Sequence, residues 1–270
     1  MEIEILGPLR VRVAGIPVTP SAAKPCTLLA TLALHAGESV PIAALFSELW
    51  GNTIPRSAST TLQTYVMHLR NLIGAALDRT GDTTRVPKGI VVTQPGGYLL
   101  DIGDGRMDVW EFQKLATAGH RAREAGDFQK ASAKFGEALA MWRGGALSNV
   151  QLGPMTEIEA CRLEEARFNV LERRIDADLR LGRHHELLAE LSALVARHPT
   201  HEGLAAQQML ALYRAGRRAE SLSVYRQLRT RLVNGLGMEP SPVLQVLHRG
   251  VLVSDRHLAE PRAGVGAVRR

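Results

Sequence analysis

The sequence predicts a mainly α-helical protein with a small β component, divided between two domains. Its 270 residues suffice for two cores of ordinary size, since single domains cluster near roughly 100–150 residues. Alternating apolar segments stand at both ends of the first hundred residues, with amphipathic helical patterns between them. Further along, two similar helix breaks stand 34 residues apart, a period typical of stacked helical repeats.

Bulk composition excludes several classes of protein. With 45% hydrophobic, 22% charged and 4% aromatic residues, the chain suits a soluble, Ala/Leu-rich helical protein. No apolar run is long enough to cross a bilayer, and Glu2 and Glu4 stand where a signal peptide carries basic residues. We therefore expect a cytoplasmic protein without a membrane partner. The net charge of +6 permits a nucleic-acid partner without identifying one.

The two cysteines do not indicate a disulfide or a metal site. Cys26 and Cys161 stand far apart, each within an apolar helical pattern. Such residues are most simply explained as small buried side chains.

The N-terminal elements follow from local patterns. Apolar residues alternate in 2–6 and 9–13 and return in 16–18 after turns containing glycine, which predicts a short antiparallel sheet. A first helix is expected at about 22–36, ended by the glycine at 37, and a second at about 41–50, with proline in its first turn.

A third helix is expected at about 58–72, with Ser57 as its N-cap. On a helical wheel one stripe is apolar: Leu62, Tyr65, Val66, Leu69 and Ile73. The opposite face and its flanks are polar apart from one methionine: Thr60, Thr61, Gln63, Thr64, Met67, His68, Arg70 and Asn71.

This polar face contains no carboxylate. A solvated helix face usually mixes acids with bases, whereas a helix entering the major groove must avoid carboxylates near phosphates and offer hydrogen-bonding groups to base edges. The pattern favours a DNA-reading helix, with a plain amphipathic helix as the alternative.

Two β-rich segments, about 89–94 and 98–101, flank the Gly96-Gly97 turn and predict a hairpin. Strands, three helices and a terminal hairpin, in that order, are the elements of a winged helix-turn-helix. The third helix would occupy the major groove, while the hairpin would lie along phosphates or reach a neighbouring groove.

The segment LWGNTIPRSASTTLQTYVMHLRNLIG, residues 49–74, and the Gly-Gly-Tyr hairpin at 96–98 resemble the OmpR-type winged helix. In particular they resemble the Streptomyces antibiotic regulatory protein (SARP) family, whose third helix carries a Leu-Gln-x-Tyr-Val-x-x-Leu-Arg core, here starting at Leu62. Two positions depart from the family pattern. His68 replaces a common arginine, and an imidazole cannot make the bidentate guanine contact of a guanidinium. Lys24-Pro25-Cys26 replaces a basic-polar string, which weakens any phosphate contact from the first helix.

The resemblance implies roles for individual residues. Thr64, His68 and Gln63 would face bases. Phosphate or sugar contacts would come from a larger set: Arg56, Ser57, Thr60, Thr61, Arg70, Thr93 and Gln94. The loop between the second and third helices, including Asn52, Thr53 and Ile54, would contact RNA polymerase, unless it is a simple connector.

Beyond residue 108 the pattern is continuously helical. Breaks at Leu181-Gly182-Arg183 and Ala215-Gly216-Arg217 predict an all-α tetratricopeptide-like repeat domain. The segment 234–242 resembles the end of the bacterial transcriptional activator domain of SARPs. We therefore expect an OmpR-type winged-helix DNA-binding domain at 1–101, the activator domain at 108–252 and a disordered tail at 254–270.

The role of the helical domain stays open at this level. It could pack on the DNA-binding domain and support assembly, or it could present a groove for a peptide or a polymerase segment. No P-loop, zinc-protease or nucleophile-elbow motif is present, so neither an enzyme nor a cofactor is expected. His184, His185, His198 and His201 form a histidine cluster that is better explained by solvated turns than by a metal. With no receiver domain before the winged helix, a two-component response regulator is not expected.

These observations predict a DNA-binding activator of a secondary-metabolite (antibiotic) gene cluster. By resemblance it would bind direct repeats near the −35 element of double-stranded promoter DNA, self-associate in tandem, and recruit RNA polymerase through its sigma and alpha subunits. The alternative is a helical-repeat adaptor whose winged helix contacts protein; a repressor with the same fold is a third hypothesis.

Overall fold

The computed structural model describes residues 1–259. They form two compact units: the first comprises Met1–Lys114 and Ala138–Arg167, and the second Leu115–Glu137 and the chain from Phe168. Helices α5 (Asp108–Glu124), α6 (Phe128–Ala140) and α7 (Pro154–Arg180) each contribute to both units.

The first unit contains two small sheets. Their strands are β1 (Glu2–Glu4), β2 (Arg10–Val13), β3 (Ile16–Pro17), β4 (Ser39–Pro41), β5 (Val91–Gln94), β6 (Gly97–Leu100) and β7 (Arg106–Met107). One sheet has the order β3-β2-β1-β7, in which β1 pairs antiparallel with β2 and parallel with β7. The other has the antiparallel order β4-β6-β5, so the predicted hairpin gains a third strand.

The helices beside these sheets are α1 (Ala23–Leu34), α2 (Ile42–Trp50), α3 (Ala58–Thr80) and the single turn α4 (Pro87–Ile90). Residues 39–41, which were expected to open the second helix in part, form β4 instead, because buried Val40 pairs with Tyr98. Ser57 occupies the N-cap position of α3, but its hydroxyl makes no capping hydrogen bond.

Helix α3 is longer than predicted. It runs to Thr80 because Ile73, Ala76 and Leu77 continue its buried stripe, and it ends at Gly81, which has a left-handed φ of 66°. Gly74 does not stop the helix. A Cβ there would lie 3.3 Å from the Pro87 ring, so the glycine permits close approach to α4.

The second unit is built from helical hairpins. Three turns, at Gly126, Gly182 and Gly216, share positive φ values of 78°, 79° and 75°. In each turn the amide after the glycine donates to a carbonyl five residues back, as Arg183 does to Asp178 and Arg217 to Leu212. This Schellman pattern favours glycine because only glycine adopts a left-handed φ without strain. The repeat prediction is thus explained by three equivalent helix ends.

The later hairpin helices are α8 (His184–Arg197), α9 (Glu202–Arg214), α10 (Arg218–Leu236) and α11 (Pro242–Leu252). One core cluster of this unit joins α9, α10 and α11 through Met209, Tyr225 and Leu244. A second joins α7, α8 and α9 through Ile175, Leu191 and Ala211. The predicted fold class, mainly α with a winged helix followed by a helical-repeat domain, is confirmed.

Two sequence predictions differ from the structure. Cys161 is exposed rather than buried, because it faces outward on α7, whereas Cys26 is buried as expected. Residues 256–259, expected to begin a disordered tail, form the short helix α12 (Arg256–Ala259), to which Arg214 donates a hydrogen bond at the Leu258 carbonyl. The remainder of that tail, 260–270, lies outside the described residues. Within 1–259, no helix has the length and hydropathy needed to span a membrane.

Candidate nucleic-acid interface

Helix α3 presents one face to the core and the other to solvent. Leu62, Val66, Leu69 and Ile73 are each at most 2% exposed. Gln63, Thr64 and His68, predicted to contact bases, are all exposed on the other side, as is Thr60. Thr61, predicted to contact the DNA backbone, is half-buried at the edge of this face. The structure therefore brings the three base-contact candidates together on one accessible surface.

The chemistry of this surface suits hydrogen bonding without negative charge. No carboxylate lies on α3 before Asp78, near the end of the helix. The Thr64 hydroxyl donates to the Thr60 carbonyl at 3.0 Å, which leaves its oxygen free to accept. A carboxylate-free face can approach phosphates without repulsion.

Arg70 connects α3 to the hairpin of β5 and β6. Its Nε and Nη2 donate to the Val91 carbonyl at 3.0 and 2.7 Å, and Nη2 also donates to the Thr93 hydroxyl at 2.7 Å. The side chain predicted to bind DNA phosphate is therefore engaged within the protein. An arginine offers five N–H donors, so its Nη1 group is left for an outside acceptor.

The hairpin itself has an exposed tip. Thr93 is exposed and Gln94 is half-buried, and the turn uses Gly96 at a φ of 77°. A Cβ at Gly97 would lie 2.6 Å from the Val40 carbonyl oxygen, so β6 can approach β4 only with glycine there. The Gly-Gly pair thus fixes both the turn and the third strand of the sheet.

The loop between α2 and α3 is exposed along most of its length. Asn52, Thr53 and Ile54 all face solvent, with Ile54 51% exposed. Arg56 and Ser57 are exposed as well, next to the start of α3.

An aromatic group anchors this loop at its start. The rings of Trp50 and Tyr65 stack with their centroids 6.4 Å apart, and the Phe46 ring meets Trp50 edge-on at a centroid distance of 5.7 Å. The Lys24 Nζ atom lies 4.9 Å from the centroid of the Trp50 ring. Lys24 is thereby used to hold α1 against α2.

The sequence reasoning missed two buried carboxylates that fix the segment 143–156 within the first unit. Glu48, on α2, is 5% exposed and accepts the amides of Gly153, Met155 and Thr156 at 3.1, 2.7 and 3.0 Å. The Thr156 hydroxyl donates to the same carboxylate. These amides belong to the start of α7, where the Thr156 hydroxyl also accepts the Gly153 amide at 2.9 Å. Glu48 therefore adds an N-terminal cap from another helix to the one that Thr156 provides.

Asp108, at the start of α5, plays a comparable part. Its carboxylate accepts the amides of Ile5 and Leu6 at 2.9 and 3.0 Å and an Arg143 N–H at 2.7 Å. Asn149 exchanges hydrogen bonds with the backbone of Leu9.

A sequence signal existed for Glu48, because it stands three residues after buried Leu45, on the side of α2 that packs inward.

The histidine cluster does not assemble a metal site. His184 and His185 lie side by side, and His198 and His201 pack against the ring of Phe168. Across residues 1–259, no group of three or more His, Cys, Asp or Glu side chains is placed to hold a metal ion.

Comparison with known proteins agrees with this architecture. Residues 19–100 match the family model "Transcriptional regulatory protein, C terminal", and residues 107–252 match "Bacterial transcriptional activator domain". A solved structure of Mycobacterium tuberculosis EmbR, in complex with a low affinity phosphopeptide, superimposes with a TM-score of 0.84 at 32% identity. That match covers 94% of this chain and 65% of the EmbR chain.

Curated relatives are similar over nearly the whole chain. Regulatory protein DnrI of Streptomyces peucetius is 49% identical over 94% of this chain and 93% of its own length. Transcriptional regulator RedD of Streptomyces coelicolor is 34% identical over 97% of this chain and 73% of its own length. Regulatory protein AfsR of the same species is 37% identical, but this chain spans only 24% of it. The chain therefore belongs to the SARP family and is a transcriptional regulator.

Proposed function

We propose that this regulator is a sequence-specific, DNA-binding activator of a secondary-metabolite (antibiotic) gene cluster. The observation that carries the proposal is the exposed, carboxylate-free face of α3, on which Gln63, Thr64 and His68 stand together. In the major groove these side chains would contact base edges. The relatives DnrI and RedD, named as regulators, support a regulatory rather than an enzymatic role.

The surrounding residues would hold the protein on the DNA backbone. Arg56, Ser57 and Thr60 are exposed around the first turns of α3, and Thr93 lies at the exposed edge of the hairpin. Contacts of this kind set position and affinity but not sequence preference. Thr61, Arg70 and Gln94 complete this set, with Arg70 using the guanidinium nitrogen that the hairpin leaves free.

We further propose that the protein binds direct repeats near the −35 element in tandem copies and recruits RNA polymerase, in the cytoplasm. The exposed loop at Asn52, Thr53 and Ile54 would supply the polymerase contact. On this proposal, residues 1–101 bind DNA, and residues 108–252 support the assembly of tandem copies of the protein. Val243 and Val246 on α11, 78% and 61% exposed, offer an apolar surface for protein contact.

The decisive test compares promoter binding by the native protein and a Thr64→Ala/His68→Ala variant. Fluorescence anisotropy would follow a labelled promoter fragment and scrambled DNA across a salt series. We expect the native protein to prefer the promoter, and the variant to lose the preference while keeping weak, salt-sensitive binding.

A matched control is available in the second unit. Thr230 is an exposed threonine whose hydroxyl donates to the carbonyl four residues earlier, as that of Thr64 does, and His257 is an exposed histidine. The Thr230→Ala/His257→Ala variant should bind like the native protein. If native protein and the α3 variant bind alike, the adaptor hypothesis gains instead, and transcription in vitro would separate activation from repression.

A further inference from the structure

Met67 is the one large apolar side chain on the solvent face of α3 within its first four turns. It is 57% exposed. Burying a side chain of this size stabilises a protein, because apolar surface is removed from water. A methionine left in solvent beside Thr64, His68 and Asn71 is therefore informative.

Its place on the helix can be located from the helical repeat. The line opposite the buried stripe of Leu62, Val66, Leu69 and Ile73 passes within about 10° of Thr64. On the same basis, Met67 and His68 lie about 50° to either side of that line. Met67 therefore points outward with the proposed base-contacting residues, one turn after Thr64.

The chemistry of the major groove decides what such a side chain can contact. Methionine has no N–H or O–H to donate, so it cannot bind phosphate, and its thioether sulfur is only a weak acceptor. Among the groups that base pairs present in the major groove, the apolar one is the C5-methyl group of thymine. The unbranched, polarisable methionine chain adapts well to such a surface.

We propose that Met67 packs against a thymine C5-methyl group and makes the protein select thymine at one position of its site. This inference rests on the proposed function, because it assumes that α3 enters the major groove. It adds an apolar contact to the polar ones expected from Gln63, Thr64 and His68.

A second surface borders Met67 and provides the alternative. A shallow apolar groove runs along α3 past Gly74 and Ala75 to Val86 and Pro87, with Met67 at one end. Val86 is 61% exposed in this groove but stands in the turn before α4 and not on α3 itself. A protein partner seated in the groove would contact both Met67 and Val86, whereas DNA read by α3 would depend on Met67 alone.

The experiment replaces each thymine of the bound promoter sequence, one at a time, by deoxyuridine. Uracil keeps every hydrogen-bonding group of thymine and lacks the C5-methyl group. For the native protein we expect one position at which uracil raises Kd about fourfold, the effect of uncovering one buried methyl group of about 0.8 kcal/mol. Met67→Gln should remove that sensitivity, and Met67→Leu should restore part of it.

Val86→Gln is the matched control, since it removes the other large exposed apolar side chain of the groove. It should leave the uracil sensitivity as in the native protein. The inference is overturned if uracil has no effect at any position, or if Met67→Gln shows the same losses as the native protein while promoter preference persists. If the native protein shows no promoter preference at all, the proposed function fails, and this inference fails with it.

Discussion

The solvent face of α3 and the segment 143–156 use polar residues in opposite ways. The side chains of Gln63 and His68 make no hydrogen bond to any residue within 1–259, so folding does not depend on partners for them. In the other region Glu48 and Asp108 each accept several backbone N–H groups from other parts of the first unit. Groups that serve an outside ligand are thus separated from groups that hold the fold. Substitutions in the two regions should affect different measurements.

The largest effect is expected from Glu48→Ala. The change leaves the amides of Met155 and Thr156 unpaired in a buried site, while the Gly153 amide keeps the Thr156 hydroxyl as its acceptor. Each unpaired group costs about 1–3 kcal/mol. With partial entry of water we expect a loss of about 3–5 kcal/mol in the free energy of unfolding. Urea denaturation followed by circular dichroism measures it. A midpoint equal to that of the native protein would show that these bonds contribute nothing.

Arg70→Met should combine the two kinds of effect, because Arg70 belongs to α3 but its side chain makes hydrogen bonds to β5. We expect the unfolding free energy to fall by about 1–2 kcal/mol, as the charged hydrogen bonds to Val91 and Thr93 are lost. Amide hydrogen exchange in the hairpin 91–100 should accelerate. If the remaining guanidinium nitrogen of Arg70 also binds phosphate, the variant loses one phosphate contact. The plot of log K for DNA binding against log salt concentration should then become less steep, by about one unit of slope. Unchanged exchange in the hairpin would mean that Arg70 does not hold it.

A smaller effect is expected from pH in the second unit. Burial, followed by the charges of His185 and Arg214, lowers the pKa of His184, and burial also lowers the pKa of His120 and His248. Since the folded pKa lies below the unfolded value, the unfolded state binds more protons as pH falls below the ordinary histidine range. Stability is then lost on acidification and unchanged above that range.

His184→Asn tests this dependence. Comparing Tm at pH 7.5 and 5.5 by calorimetry, we expect a smaller decrease for the variant than for the native protein. Equal decreases in Tm for the two proteins would mean that His184 does not contribute to the loss of stability in acid, and that other titrating groups cause it.

The smallest effect is expected from Arg229→Gln. Arg229 makes two hydrogen bonds to Glu239, and the pair lowers the pKa of that carboxyl, yet both side chains are 53% exposed. Exposed ion pairs contribute little because water and salt screen them. We expect the urea midpoint to stay within experimental error, in contrast to Glu48→Ala. A clear decrease would mean that exposed pairs in this protein are as important as the buried carboxylates.

The sequence predicted the elements whose signals are local. Helical periodicity located α1, α2 and α3, and glycine spacing located the turns at Gly182 and Gly216, because each turn depends on a conformation that glycine adopts readily. The length of α3 was underestimated: the helix was expected at about 58–72 and runs to Thr80, past Gly74, which packs closely against Pro87.

The parts that sequence reasoning missed depend on contacts between distant residues. The position of Glu48 on α2 indicates burial, but no local pattern indicates that its partner is Thr156, 108 positions later. Likewise β7 forms only because Arg106 and Met107 meet β1, an alignment that no local pattern specifies. On the solvent face of α3, by contrast, periodicity alone placed Gln63, Thr64 and His68 in solvent. The exposure of this surface could be predicted because it depends on no partner elsewhere in the chain.

The cap at Glu48 also bears on how such proteins can be rearranged in evolution. Glu48 lies in the segment 19–100 matched by one family model, and the amides it accepts lie in the segment 107–252 matched by the other. The two segments are therefore not interchangeable parts. A chimera joined between them with a relative's second half would need a carboxylate at position 48 and a helix start whose amides face it, so these features should be inherited together.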